Sequence, residues 1–150
     1  MVRSMKTGKL IFGLGSLLWG TLACEGQLSV PEPLPVADAG FDQVRYLGDA
    51  SELTIDLDGR ASCDPMGSTL QKATWSVVSA PGEEPSLEGE ELGASFTVTE
   101  AGEYILTLQV SSGDRLSDPD YIAIQVKAGT GDDVVVAPPK TTACGDPIDS

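Results

Sequence analysis

The sequence predicts an all-β fold, a two-sheet sandwich of short strands. Three observations carry that prediction. Apolar residues alternate with polar ones in several separate runs, the period of a strand with one buried face. Dipeptides containing glycine stand between the runs, and these make turns. Beyond the N-terminal segment no stretch sustains a helical period. Six or seven strands in about 90 residues suit two packed sheets.

The runs follow in order. Leu53, Ile55 and Leu57 alternate with Thr54 and Asp56, and Asp58-Gly59 closes the run. Trp75 and Val77 flank Ser76 ahead of Pro81-Gly82. Phe96 and Val98 flank Thr97 ahead of Ala101-Gly102. Tyr104, Leu106, Leu108 and Val110 share one face of the longest run, and Gly113-Asp114 ends it. The tripeptide Gly113-Asp114-Arg115 reads as a hairpin turn, not as an integrin-type recognition sequence. Ile122, Ile124 and Val126 share a face of the last run. Trp75 falls on the third strand, where such sandwiches bury an indole between the sheets, so its expected role is core filling. Tyr104 opens its strand just after Ala101-Gly102. That placement predicts a tyrosine corner, with the ring packed and the hydroxyl bonded to nearby backbone.

The N-terminus has a different texture. Arg3, Lys6 and Lys9 precede an apolar run of 14 residues, Leu10 to Ala23, and Cys24 follows it. A basic start, a short apolar stretch and a small residue at a boundary describe an export signal. A spanning helix needs about 20 apolar residues, so the run is too short to be an anchor by itself. The segment TLAC resembles the lipobox of bacterial lipoproteins, with Thr21 where leucine is usual. That resemblance implies that Cys24 is lipidated and begins the mature chain. The alternative is ordinary secretion with Cys24 as a loop thiol. Residues 24–34 are polar and proline-bearing and read as a tether. The expected organisation is a lipoprotein signal peptide over 1–23, the tether over 24–34, a sandwich over 35–127 and a tail over 128–150.

Charge and composition exclude several functions. The chain carries 9 basic and 23 acidic residues, a formal net charge of −14. Loss of residues 1–23 removes three basic residues and no acid, which leaves −17. Nucleic acid is excluded as a partner, because neutralising phosphates takes Lys and Arg. The sequence contains no histidine, so imidazole-based zinc sites and His-dependent triads are excluded too.

The segments PVADAGFDQ (35–43), LTIDLDGRASCDPMGSTL (53–70), ATWSVVSAPG (73–82) and SFTVTEAGEYILTLQVSSGD (95–114) together resemble a PKD domain. The match covers about residues 35–127. It is closest to the variant of bacterial surface proteins that carries a W-S-x-x-S-A-P stretch. The WDFGDG motif of other PKD domains is absent, since Ser76 and Val77 follow Trp75. The resemblance implies an immunoglobulin-like sandwich used for adhesion, spacing or protein contact, with no catalysis and no cofactor.

Some PKD domains bind calcium through acids near the first strand and after the second. The corresponding candidates are Asp38, Asp64, Asp118 and Asp120. The loop that often reads DPDGD in the family reads DPMGS here, so Met66 and Ser68 withdraw two ligands, and calcium wants six to eight oxygens. Turn formation is the expected role of these acids, and no metal site is assigned. Glu83, Glu84, Glu88, Glu90 and Glu91 crowd one loop-rich stretch. A glycosidase pair needs a cleft with tuned carboxyls, and a solvated loop is expected instead. Carbohydrate recognition usually needs an exposed aromatic platform. Trp75 is assigned to the core, and Phe41, Tyr46 and Tyr121 are scattered.

Three cysteines remain to be placed, at 24, 63 and 144. With lipid on Cys24, parity in an oxidising compartment pairs Cys63 with Cys144. Cys63 belongs to the end of the domain opposite the end of the last strand. The 18 residues from Val126 to Cys144 can stretch roughly 60 Å, against about 20 Å for a strand. The tail therefore can double back, and Val134, Val135 and Val136 have the β-propensity to pair along an edge on the way.

The sequence thus predicts a non-enzymatic PKD-like domain, lipid-anchored at Cys24 and displayed at the cell envelope. Its expected partners are the membrane, through that lipid, and an envelope protein or polysaccharide. The second reading is a secreted accessory or inhibitory subunit of an envelope enzyme. Glu25 is not the aspartate linked to inner-membrane retention in some bacteria, which favours the outer membrane.

Overall fold

Among the described residues eight strands build two sheets. They are β1 (Gln43–Tyr46), β2 (Leu53–Asp58), β3 (Lys72–Ser79), β4 (Leu87–Glu88), β5 (Gly93–Val98), β6 (Gly102–Ser112), β7 (Arg115–Leu116) and β8 (Asp120–Lys127). The computed structural model describes residues 30–89, 91–137 and 140–148. The larger sheet runs β1-β8-β6-β3, with β7 paired to the end of β6, and the smaller runs β2-β5-β4. All pairings are antiparallel except β1 with β8, which is parallel. The signal reading of residues 1–23 and the lipid on Cys24 lie outside the described residues.

The period-two pattern decides which face is buried. In β6, Tyr104, Leu106, Leu108 and Val110 are buried while their neighbours are partly or fully exposed. Ile122, Ile124 and Val126 of β8 join them from the same sheet. From the smaller sheet come Ile55, Leu57, Phe96 and Val98. Phe96 lies against Tyr104 across the gap, with ring centroids 5.8 Å apart and tilted by 51°, an arrangement aromatic pairs prefer. Gly113-Asp114 forms the two-residue hairpin from β6 to β7.

Gly59 shows how tightly the sheets close. A Cβ on it would come within 2.5 Å of a Leu108 methyl and 3.3 Å of the Trp75 ring. It would also meet the backbone carbonyl of Leu92 at 3.0 Å, so the chain leaves β2 there with glycine.

The tail after β8 turns back along the molecule. Gly48 N donates to Gly129 O at 2.9 Å, and Val44 and Val134 exchange two backbone hydrogen bonds at 2.9 and 2.8 Å. Gly131 packs against the Tyr46 ring. Farther on, Ala143 N donates to Ala61 O at 2.7 Å, and Cys144 is bonded to Cys63 with 6.0 Å between their Cα atoms. The described residues from Glu32 onward belong to one compact unit.

Candidate functional site

Strand directions place the connecting segments at two poles. The first pole collects residues 59–71, 89–92 and the β6–β7 turn. The second collects residues 47–52, 80–86, 99–101 and 128–133.

The first pole is heavily tied. Val36 and Cys63 exchange backbone hydrogen bonds of 2.8 and 2.9 Å, so the incoming chain is stitched to the loop that carries the disulfide. Arg115 grips Asp64 with both arms, Nη1 to Oδ1 at 3.1 Å and Nη2 to Oδ2 at 2.5 Å. A third bond, Arg115 Nη1 to Pro33 O at 2.7 Å, fixes the lead-in segment. The Asp64 side chain is fully enclosed, which an anion tolerates only when paired and hydrogen-bonded. The Arg115 guanidinium, with the Ser112 hydroxyl and the Met66 amide, holds the Asp64 carboxyl well below the usual carboxylate range.

That shift has a definite sign. The folded state binds the Asp64 proton more weakly than the unfolded chain, whose aspartates titrate near 3.9. The stabilisation is therefore fully present above about pH 4 and is lost as pH falls through the folded value. Melting temperatures of the wild type and Asp64→Asn should differ by a constant gap from pH 7 down to about pH 4 and converge below it. A gap that stays unchanged to pH 2 would mean that ionisation of Asp64 is not the source.

The four acids proposed as calcium candidates are mostly committed to the chain's own groups. Asp64 holds Arg115, so a cation already occupies its oxygens. Asp120 Oδ2 accepts from Ala39 N at 2.7 Å, and Asp38 Oδ1 accepts from Gly40 N at 3.0 Å. Asp118 is exposed. Asp42, not singled out from sequence, accepts from Ala123 N at 2.8 Å and helps dock the lead-in on β8. Among the described residues no three acids or cysteines stand close enough together to hold a metal ion.

Tyr104 is buried, and its hydroxyl donates to Glu100 O at 2.9 Å. Burial raises its pKa. Trp75 lies on the inward side of β3, as expected from sequence, but is less enclosed than an indole buried between the sheets. It packs against the core and is partly buried, on the last strand of its sheet. Its Nε1 is shielded from solvent and has no hydrogen-bond partner among the described residues. Phe41 and Tyr121 are exposed, while Tyr46 is half-covered by the tail, with Lys127 Nζ 5.7 Å from its ring centroid.

At the second pole Glu83, Glu84 and Glu100 line an open cleft of about 320 Å³ together with Tyr104. The cluster of glutamates read from the sequence is thus split. Glu83 and Glu84 face this cleft, Glu88 lies on β4, and Glu91 borders the opposite end of β3. Glu90 lies outside the described residues.

Comparison with solved structures places this architecture. The PKD domain from KIAA 1837 protein is 26% identical, with 68% of this chain and 95% of that one covered at a TM-score of 0.53. The fold is PKD-like. The PKD domain of human KIAA0319 superposes similarly, with 69% of this chain and 92% of that one covered at a TM-score of 0.50 and 18% identity. No protein-family model and no curated protein matches the chain. The PKD-like sandwich covers the strands, and the disulfide fastens the tail beside it.

Sequence reading missed β1. Its register sets Gln43 and Arg45 opposite the buried Ile124 and Val126, and Val44 and Tyr46 opposite Gln125 and Lys127. The polar residues thus share the core-facing side and the apolar ones the outer side, the reverse of the expected pattern. The signal that locates β1 lies elsewhere, in the tail that covers it.

Proposed function

We propose that this protein is a non-enzymatic contact module, held at the cell envelope by lipid on Cys24 and displaying its PKD-like sandwich to another envelope component. The observation that carries the reading is the likeness to solved PKD domains across nearly their whole length. The Cys63–Cys144 bridge supports an extracytoplasmic location, since such bonds persist in oxidising compartments. The geometry suits display. The incoming segment at Val36 and the returning tail at Cys144 are both fastened to the loop around Cys63. The far pole is left to short acidic turns that contain Asp49, Glu52, Glu83, Glu84, Glu100, Asp132 and Asp133. An acidic surface at that end favours cationic partners and keeps the protein soluble and apart from anionic surfaces.

Fractionation tests the anchor. The wild-type protein should partition into the detergent phase, since acyl chains contribute about 0.8 kcal/mol per buried methylene. Cys24→Ser should shift it to the aqueous phase or leave the unprocessed precursor. A soluble wild-type protein without acyl mass would eliminate the lipid anchor. Affinity capture from envelope extracts tests the contact role, and recovery of an active enzyme would support the accessory-subunit alternative.

A further inference from the structure

The two flanks of the sandwich are finished differently. On the flank between β1 and β2 the tail lies across the opening. Val134 pairs with Val44, and Val135 and Val136 line a cleft of about 100 Å³ with Asp56 and Asp58 of β2. On the opposite flank β3 ends the larger sheet and β4 ends the smaller. β4 is only two residues long. β3 is eight residues long, and among the described residues nothing pairs with its outer edge.

A free edge of this length is a template for another strand. Native edges are usually blunted by proline, by charge, by a bulge or by a cover. From Ala73 to Ser79 the strand has neither proline nor charge. Its one irregularity is a register shift between Val77 and Ser79, and Val78 within it is 56% exposed. Beside the start of the strand lies a cleft of about 220 Å³, bordered by Leu70, Ala73 and Leu92, with Lys72 and Glu91 at its rim. That space can receive a side chain from an added strand.

Charge selects the occupant. Beyond the end of β3 stand Glu83 and Glu84, at its start Glu91, and on the neighbouring edge strand Glu88, against a single Lys72. A second copy of this chain would bring its own net charge of −14 or below to that flank, and like charges brought together oppose association. We propose that the β3 edge takes an extended, lysine- or arginine-bearing segment of a partner protein as an additional strand. Main-chain hydrogen bonds supply the attachment and the flanking glutamates the preference for cations. The proposal rests on the contact-module reading and names the surface and the chemistry of the contact.

Hydrogen exchange on the full-length protein in detergent tests it, with a blocked ten-residue peptide of alternating Val and Lys. The expected result is slowed exchange across residues 72–79. Binding should weaken at least tenfold when Glu replaces Lys in the peptide, when alternate peptide amides are methylated, or when the protein carries Val78→Lys. Val135→Lys, on the closed flank, should bind as the wild type does. Absence of binding, equal binding by the methylated peptide, or protection confined to the acidic turns overturns the proposal. So does protection of residues 72–79 by dimerisation without peptide. A partner captured through another surface would overturn this proposal while leaving the contact-module reading intact.

Discussion

Replacing Cys144 with Ser lowers the stability of the sandwich by about 4 kcal/mol in the chain-entropy model, the expectation for a loop of this length. The bonded cysteines are separated by 81 residues, so β3 to β8 lie inside the loop and only β1 and β2 precede it. That loss is a large share of the roughly 5–15 kcal/mol that holds a domain together. The damage has a direction. Without the bridge the tail keeps its backbone pairs at Gly48, Val44 and Ala61, the Asp133 contacts with Arg45 and the Tyr46 amide, and the packing of Gly131 on Tyr46, while its valines are about half exposed. Amide exchange at Val44 and Val134 should therefore accelerate before the β6 and β8 amides are affected. Thermal melts with and without reductant, read beside exchange, check both parts. An unchanged melting curve after reduction would show that the tail fastens nothing.

Phe96→Ala costs about 3–5 kcal/mol, the range for removing a large aromatic from a packed core. Phe96 is 1% exposed and lies between the sheets against Tyr104. Its loss leaves a void that neither sheet can collapse into, because both are held in register by their ladders. Trp75→Ala should cost less despite the larger side chain, because Trp75 is only partly buried. Denaturant unfolding of the two variants orders them. A Trp75→Ala variant less stable than Phe96→Ala would mean that the indole carries more of the core than its partial burial implies.

Much of the fold was legible because strands with one buried face write their orientation into alternate residues. β6 is the plainest instance. Every second residue from Tyr104 to Val110 is apolar in sequence and buried in the structure. The turn pairs at 58–59, 101–102 and 113–114 were equally local, and each lies at a strand end. What failed to show were features set by neighbours. β1 reads as an indifferent segment because Gln43 and Arg45 take the inner positions at the margin of the sheet. The half-burial of Trp75 was hidden for a related reason. The alternation of Ala73, Trp75 and Val77 says which face turns inward, but not that β3 would be the last strand of its sheet.

The acids show the same division. Sequence pattern offered Asp38, Asp64, Asp118 and Asp120 as one group, since all are aspartates in loops. Tertiary structure separated them by giving each its own partner or none. Asp64 met Arg115 from 51 residues away, and Asp120 met the Ala39 amide from 81 residues away. Such pairings depend on which loops share a pole, and no local pattern records that.

By itself, then, the sequence determined the all-β class, the inward face of each long strand and the parity that pairs Cys63 with Cys144. These follow from periodicity, turn chemistry and counting. Only the tertiary structure decided which flank is closed and which is left open. The tail can reach β1 because the disulfide draws it back to the loop around Cys63, and among the described residues no strand pairs with the outer edge of β3. Strand order is a long-range property. It is set by how two sheets bury their apolar faces together, and that burial does not reveal from any one strand whether it will have a neighbour on both sides.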